Sequence, residues 1–276
     1  MVGVVMHVIN RFVTRACAVA AAGVALSAAA VTAASASGGG VPARPGALSP
    51  PGSVAGRSGP LRPASSDHAT GRAPFNDPKF AGYEPQVATG SATVASASFT
   101  VPALSCTAAA QAITPEAGVR ESTATGNYSD AFVFTGCVNG TAVYYPDLVS
   151  NGKSTSFAST PFAAGDVIDL TTKVSTNRTR VVVTDVTTGV TVQHLGVGAS
   201  ADAAFIGDDA WGSSTGTEQG VPNFGKLTFS NCLIDGNALG SLHPAAYQRV
   251  NGSTVQITLG SFQPGGTAFT THYKHS

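Results

Sequence analysis

Residues 131–149, AFVFTGCVNGTAVYYPDLV, contain two apolar runs that are rich in β-branched and aromatic residues and are separated by Asn139-Gly140. Asn-Gly between two such runs is a strong β-hairpin signal, because both residues tolerate the positive φ angles of a type I′ turn. The segment therefore predicts two antiparallel strands. Tyr144 and Tyr145 are both candidates to line a groove, although neighbours on a strand alternate in direction and one of the two should enter the core.

The same pattern continues on both sides of this hairpin. Asn-Gly or Thr-Gly pairs recur between β-branched runs, and no segment shows a helical apolar stripe with capping residues. The runs are SATVASASFTVP (91–102), DVIDLTTKVS (166–175), RTRVVVTDVT (178–187), VTVQHLGVG (190–198), KLTFSNCLI (226–234), YQRVNGSTVQITLG (247–260) and TAFTTHYKH (267–275). Many short strands at regular spacing predict an all-β domain, either a sandwich or a barrel, over residues 75–276.

The chain begins with the features of a secretory signal peptide. Arg11 and Arg15 precede an Ala/Val-rich run that ends in Ala34-Ser35-Ala36, a small-residue cleavage pattern. We therefore expect residues 1–36 to be removed and the protein to be secreted. Residues 37–74 are dense in Pro, Gly, Ser and Ala, which predicts a disordered propeptide or linker.

The charge of the remaining domain limits its partners. From Phe75 onward, nine Lys and Arg stand against 14 Asp and Glu, so the net charge is about −5. Nucleic-acid binding requires clustered cations, which argues against it here. We expect no membrane association once the signal peptide is removed, and a monomer.

Three cysteines remain in the mature domain. In an oxidising compartment an odd number implies one disulfide and one free thiol. Cys106 and Cys137 each follow or end a predicted strand, which predicts a Cys106–Cys137 bond. Cys232 should then be a small buried residue.

The sequence lacks the usual motifs for metals, phosphates and nucleophilic catalysis. No HExxH motif, CxxC pair or P-loop occurs, so we expect no metal and no cofactor. GSSTG at 212–216 matches G-x-S-x-G by letters, but it lies in a polar loop without the strand and helix of a nucleophile elbow.

A series of phrases resembles one known family. In order they are ASFTVP, the FTGC strand, TAVYYPDL, GDVIDL followed by the TTG hairpin, FIGDD and FGKLTFSN. Their order and spacing resemble the eqolisin or glutamic-peptidase family, including its bacterial secreted branch. The resemblance implies a two-sheet antiparallel β-sandwich of the concanavalin A type. It also implies an acid endopeptidase in which a glutamate activates water and a glutamine amide stabilises the oxyanion.

The catalytic positions of that family are altered in this chain. The family glutamine directly precedes a Thr-Gly pair, and here that residue is Phe134, whose ring cannot donate to an oxyanion. The family glutamate falls near Asp208, with Asp209 as an alternative one residue away. Gln111 and Glu116 are further candidates to enter the groove. Trp211, the only tryptophan, completes the groove candidates with the two tyrosines.

Three functions follow as hypotheses. The leading one is a secreted eqolisin-like β-sandwich that is catalytically impaired and binds a peptide, protein or glycan in the former substrate groove. The first alternative is a divergent acid endopeptidase with Asp208 as general base. The second alternative is a carbohydrate-binding module on the same fold.

Overall fold

The computed structural model describes residues 73–90, 92–108, 110–121, 127–210 and 220–276. Within these ranges the regular secondary structure is β-strand, apart from one 3-10 turn at Leu239–Leu242, and there is no α-helix. The strands are β1 (Phe75–Asp77), β2 (Phe80–Glu84), β3 (Thr93–Thr100), β4 (Ala110–Glu121), β5 (Tyr128–Val138), β6 (Thr141–Ser150), β7 (Lys153–Ser156), β8 (Val167–Val174), β9 (Arg178–Asp185), β10 (Val190–Val197), β11 (Ala201–Ala210), β12 (Lys226–Ile234), β13 (Asn237–Ala238), β14 (Ala245–Asn251), β15 (Thr254–Leu259) and β16 (Phe269–Tyr273).

Hydrogen bonds connect the strands in one continuous order, which folds back on itself into two layers. The order is β10-β9-β8-β3-β12-β16-β15-β14-β2-β11-β4-β5-β6-β7. Strands β6, β5 and β4 pack against β9, β8 and β3, while β11 also packs against β3. The first layer therefore runs from β10 to β16, the second from β14 to β7, and β15 joins them. This is the predicted antiparallel β-sandwich.

The core lies between the layers, and strands such as β8 and β9 of the first layer alternate in burial, whereas β4, β5 and β11 of the second layer are buried on both faces over most of their length. In β8 and β9 the inward side chains, such as Ile168, Leu170 and Val183, are fully buried, and their neighbours are exposed or half-buried. Inward residues of both layers form one large apolar cluster. Period-two alternation of this kind is the pattern of a sheet with one buried face.

The predicted hairpins are confirmed at the residues that signalled them. Asn139 and Gly140 have φ angles of 51° and 76°, and they join β5 to β6 with Val138 opposite Thr141. Asn151-Gly152 joins β6 to β7 in the same way. Since register follows from turn type, these turns fix which residues lie side by side on the second layer.

The predicted disulfide is also confirmed. Cys106 and Cys137 are bonded, with their Cα atoms 5.6 Å apart. The bond ties the end of β5 to the segment that precedes β4. Cys232 is free and fully buried, and burial raises the pKa of its thiol to about 12.

Candidate functional site: the outer face of the second layer

The second layer has an outer face that points away from the first layer, and we define it by the rows of side chains that cross β11, β4, β5 and β6. One row contains Gly207, Glu116, Phe132 and Asp147. In the next row Asp209 lies opposite Thr114, and Phe134 lies opposite Tyr145. Directly opposite residues share a face, so these side chains belong to one surface.

Phe134, which the sequence resemblance predicts to occupy the position of the family glutamine, is part of a small apolar cluster on the outer face. The cluster consists of Ala112, Phe132, Phe134 and Val149, with Tyr145 packed against it. The Phe134 ring is fully buried and stacks on Tyr145 with ring centroids 4.7 Å apart. Phe134 is therefore a packed hydrophobic side chain that offers no hydrogen-bond donor to this face.

Aromatic rings on this face lie over glycines. A Cβ atom added to Gly136 would come within 2.6 Å of the Phe134 ring, and one added to Gly118 would overlap the Phe205 ring. Phe80 covers Gly82 and Gly207 in the same way and meets Phe205 edge-on. The rings fill the space that the missing side chains leave, so the backbone of this face is covered by hydrocarbon.

Asp208 does not share this face. It lies in β11 between Gly207 and Asp209, on the same side as the core residue Ile206. Its carboxylate is fully buried and accepts a hydrogen bond of 2.5 Å from the hydroxyl of Thr271 in β16. The sheet therefore separates Asp208 from Phe134, and this geometry does not bring the two predicted catalytic positions together.

Burial determines the protonation of Asp208. Desolvation raises the pKa of its carboxyl to about 7, against smaller lowering effects from the Thr271 hydrogen bond and the charge of Arg249. The charge of Asp209 adds a further small increase. At acidic pH this side chain is therefore neutral and embedded between the layers.

Asp209 lies on the outer face, one residue from the predicted position. Strand β11 presents Phe205, Gly207 and Asp209 on this side, so Asp209 carries the only carboxylate among the three. It is partly exposed, and one of its oxygens accepts a hydrogen bond from the N–H of Ala210. Of the two aspartates that the sequence analysis named, Asp209 is therefore the one on the same face as Phe134.

The other candidates divide between the two faces. Glu116 is nearly buried on the outer face, next to Phe132. Gln111 instead packs at the end of β4, where its amide donates to the carbonyl of Val221 and accepts from the N–H of Thr107. Only Glu116 of these two lies on the surface that contains Phe134.

Of the aromatic groove candidates, one is a core residue. Tyr144 is buried with the inward cluster, and burial raises the pKa of its phenol. Tyr145 is half-buried on the outer face, and burial, together with the charge of Asp147, raises its phenol pKa to about 12. The two tyrosines therefore point in opposite directions, as expected for neighbours on a strand. Tyr144 lies in the core and does not line the outer face, whereas Tyr145 does. Trp211 lies outside the described residues.

Sequence reasoning missed a buried carboxyl on the outer face. Asp147 is fully buried next to Phe132, and the hydroxyl of Ser154 donates to it at 2.5 Å. Burial raises the pKa of this carboxyl to about 6, against lowering by hydrogen bonds from Ser154, Leu148 and Ser156. No sequence signal marked it, since its burial depends on the edge strand β7 and on the cluster around Phe132.

A second unforeseen group connects three strands at one end of this face. The Arg120 guanidinium donates to Glu84 at 2.7 Å and to Asp202 at 2.8 Å. The three residues lie in β4, β2 and β11. Because these side chains are mostly shielded from water, replacing one member of an ion pair would leave the charge of the other poorly solvated.

Neither a metal centre nor a spanning helix is evident in the described part of the chain. Within it, no group of three or more His, Cys, Asp or Glu side chains is arranged to hold a metal ion. No helix among the described residues is long and apolar enough to cross a bilayer.

Fold and outer face together define a two-layer antiparallel β-sandwich of the glutamic-peptidase type. The model of the Peptidase A4 family matches residues 78–273, and the chain belongs to this family. No curated protein matches the chain in sequence.

Solved structures agree with the family assignment at the level of fold. A scytalido-glutamic peptidase bound to a transition state analog inhibitor matches with a TM-score of 0.59 and 18% identity, over 72% of this chain and 99% of that chain. SCP-B, an eqolisin in complex with the tripeptide Ala-Ile-His, matches at 0.56 with the same identity and coverage. Aspergilloglutamic peptidase from Aspergillus niger matches at 0.51 and 18% identity, over 59% of this chain and 99% of that chain.

Proposed function

We propose that this chain is a secreted, non-catalytic member of the Peptidase A4 family that binds a peptide, protein or glycan on the outer face of its second layer. The observation that carries the proposal is Phe134. At the position where the resemblance requires a glutamine amide, a phenyl ring is buried and stacked on Tyr145. Loss of one oxyanion donor typically costs about 100- to 1,000-fold in turnover.

The carboxylate partner is altered as well. Asp208 is separated from Phe134 by the sheet, and Asp209 is one methylene shorter than a glutamate. Displacing a catalytic group by about 1 Å can cost a hundredfold in rate. Loss of the donor and displacement of the base together support binding without cleavage.

The binding surface would consist of the partly exposed side chains around the Phe134 cluster. Tyr145, Asp209 and Tyr247 retain exposed surface on this face, whereas Phe134 retains none. Tyrosines present both apolar area and a hydroxyl, which suits a peptide or a sugar ring.

The direct test is a cleavage assay with the purified protein. Denatured protein substrates would be incubated between pH 2 and pH 7, and products identified by mass spectrometry, with folding checked by circular dichroism. We expect no cleavage. Cleavage by the folded protein that disappears in the Asp209→Ala variant, but survives in Asp169→Ala, would overturn the proposal.

One observation favours a second candidate, a divergent acid endopeptidase. Asp209 and Glu116 place two carboxylates on the outer face, in neighbouring strands. A backbone N–H would then have to replace the missing glutamine amide. The same assay decides between the candidates, because only this one predicts cleavage that depends on Asp209.

Secretion belongs to the same proposal. The basic start, apolar run and Ala34-Ser35-Ala36 exit support it, and so does the Cys106–Cys137 bond, since stable disulfides form in oxidising compartments. Mass spectrometry of the protein from culture medium should find a mature N-terminus at or after Ser37. An intact Met1 in cell-associated protein would contradict it.

A further inference from the structure

Strand β10 forms a free edge of the first layer. It pairs with β9 over all eight residues, from Val190 opposite Asp185 to Val197 opposite Arg178, without a bulge. Within the described residues no other strand pairs with β10, which stands at the end of the strand order. A long regular edge offers a row of backbone donors and acceptors to another extended chain.

The surface next to this edge exposes aliphatic side chains. Leu195 is 49% and Val197 71% exposed, and both point away from the core. In natural proteins an edge strand is usually protected against pairing with another chain by a charged side chain, a proline or a bulge. None of these protective features occurs at Leu195 and Val197. Burial of their exposed aliphatic side chains against a partner would therefore be favourable.

Cations lie directly beside the exposed aliphatic residues. Arg178 is opposite Val197, Arg180 is opposite Leu195, and Lys173 is opposite Arg180 on the far side. All three are exposed. Lys173, Arg178, Arg180, Leu195 and Val197 are called the β10 patch from here on.

No carboxylate among the described residues pairs with the β10 patch, where Arg180 donates to the amide oxygen of Gln193 in β10 at 3.3 Å. Among the described residues, none of its three cations forms an ion pair, although the mature domain carries more acids than bases. Like charges directly opposite each other on a sheet are destabilising, and Lys173 and Arg180 occupy such positions. The fold thus tolerates an uncompensated positive surface beside a free strand edge.

We propose that the β10 patch binds an extended acidic peptide segment, which adds to β10 as a further strand. Main-chain hydrogen bonds to the edge would supply affinity, and side chains on one face of the peptide would supply specificity. Carboxylates of the peptide would pair with Arg178 and Arg180, while aliphatic residues would cover Leu195 and Val197. Arginine is suited to this role because its planar guanidinium binds carboxylates in a bidentate manner.

The chemistry of the β10 patch argues against two other occupants. A second copy of the chain, related by a two-fold axis, would bring the same cations against each other. A membrane surface is usually approached by Trp or Tyr together with cations, and the β10 patch contains neither aromatic residue. An acidic extended peptide matches both the charge and the free edge.

The experiment uses the secreted protein and a labelled, terminally blocked peptide of sequence ETVTETVT. Its alternation places Glu and Val on one face and Thr on the other. The control peptide is KTVTKTVT, which keeps the pattern and reverses the charge. Binding is followed by fluorescence anisotropy at two salt concentrations, and hydrogen exchange reports on the amides of β10.

We expect the acidic peptide to bind more weakly at higher salt, and the basic peptide not to bind. The amides of Val190–Val197 that point away from β9 should gain protection on binding. The double variant Arg178→Glu/Arg180→Glu should weaken binding at least tenfold. The control variant Lys226→Glu/Lys274→Glu makes the same change in net charge at exposed lysines in β12 and just after β16, strands that do not neighbour β10, and should bind as the parent does.

The proposal is overturned if the folded protein does not bind the acidic peptide, or if both double variants weaken binding equally. It is also overturned if binding leaves the β10 amides unprotected. Binding to anionic phospholipid vesicles without binding to the peptide would assign the β10 patch to a membrane instead. A dimer in sedimentation that Leu195→Lys dissociates would assign it to a second copy.

Discussion

At the scale of single residues, Phe134 links the sequence to the proposed loss of catalysis. Its ring is held by the stacked Tyr145 ring, by Phe132 on the same strand face and by the glycine at 136 that it covers. A glutamine in this environment would bury an amide among hydrocarbon, which is unfavourable without hydrogen-bond partners. The surroundings of this position therefore suit a hydrophobic ring better than an amide.

Truncation of this ring should destabilise the domain. We expect Phe134→Ala to lower the free energy of unfolding by about 3–5 kcal/mol, since it removes a buried aromatic side chain and leaves a cavity. Urea denaturation measures the change. Val186→Ala, at a residue that is 52% exposed, is the control and should change it by less than about 0.5 kcal/mol. A loss below about 1 kcal/mol for Phe134→Ala would contradict the packing described here.

At the scale of strands, a threonine hydroxyl of the first layer is inserted between two paired strands of the second layer and hydrogen-bonds to both. Ala117 and Ala131 are opposite each other in β4 and β5. The N–H of Ala131 donates to the Thr172 hydroxyl at 2.9 Å, and this hydroxyl donates to the carbonyl of Ala117 at 2.8 Å. The small alanine side chains allow β8 of the first layer to approach this closely.

Replacement of this hydroxyl tests its contribution. Thr172→Val keeps the side-chain shape but leaves a buried N–H and C=O without the bridging hydroxyl, so we expect a loss of about 1–3 kcal/mol in unfolding free energy. Thr171→Val changes the adjacent, half-buried residue of β8 and should have a much smaller effect. Equal losses for both variants, measured by thermal and urea unfolding, would show that the bridge is unimportant.

The disulfide acts at the same scale, because it fixes the end of β5 to the segment before β4. Cys106 and Cys137 are 31 residues apart, and closing a loop of this length is expected to stabilise the fold by about 3–4 kcal/mol. We expect the double variant Cys106→Ala/Cys137→Ala to lose most of this amount. Cys232→Ala, which keeps the bond, should lose less. A double variant as stable as the parent would contradict the expectation.

For the molecule as a whole, two buried carboxyl groups make the folded state more stable at acidic pH than at neutral pH. Burial raises the pKa of Asp147 from 3.8 to about 6 and that of Asp208 to about 7. The folded state therefore holds protons that the unfolded chain releases above pH 4. The stabilisation of the folded state by these bound protons is fully present below about pH 4 and is lost as the pH rises to 7.

The domain should consequently melt at a higher temperature at pH 4 than at pH 7. One pKa unit corresponds to about 1.4 kcal/mol, so each acid contributes on the order of a few kcal/mol at most. Asp208→Asn, which keeps an acceptor for Thr271, should flatten the dependence between pH 4 and pH 7. Asp169→Asn, at an exposed carboxyl, is the matched control. A slope that Asp208→Asn leaves unchanged would contradict the assignment.

Much of the fold follows from local sequence. The strand at residues 131–138 and its partner are encoded by β-branched and aromatic runs around Asn139-Gly140, whose positive φ angles set the register. The disulfide was predictable because, of three cysteines, Cys137 ends one predicted strand and Cys106 follows another, so that a bond would close the loop between them. The assignment of Phe134 to the family glutamine position stays a prediction, which rests on the Thr-Gly-Cys sequence that follows it.

The site was harder to predict because it depends on which face each residue takes. A slip of one residue reverses the face of every side chain on a strand, so spacing alone does not distinguish Asp208 from Asp209. The Arg120 ion pairs reach residues 36 and 82 positions away, and the Thr172 bridge reaches 41. Such contacts leave no local pattern.

The sequence by itself determined the all-β class, the hairpins, the disulfide and membership of a recognisable family, because each depends on short-range chemistry or on order along the chain. Only the tertiary structure decided that Asp208 lies inside and Asp209 outside, that Asp147 is buried, and that β10 is an edge strand beside three cations that form no ion pair with a described residue. These properties depend on how the two layers pack and on where the strand order ends. Both are set by long-range pairing between strands that are distant in the chain.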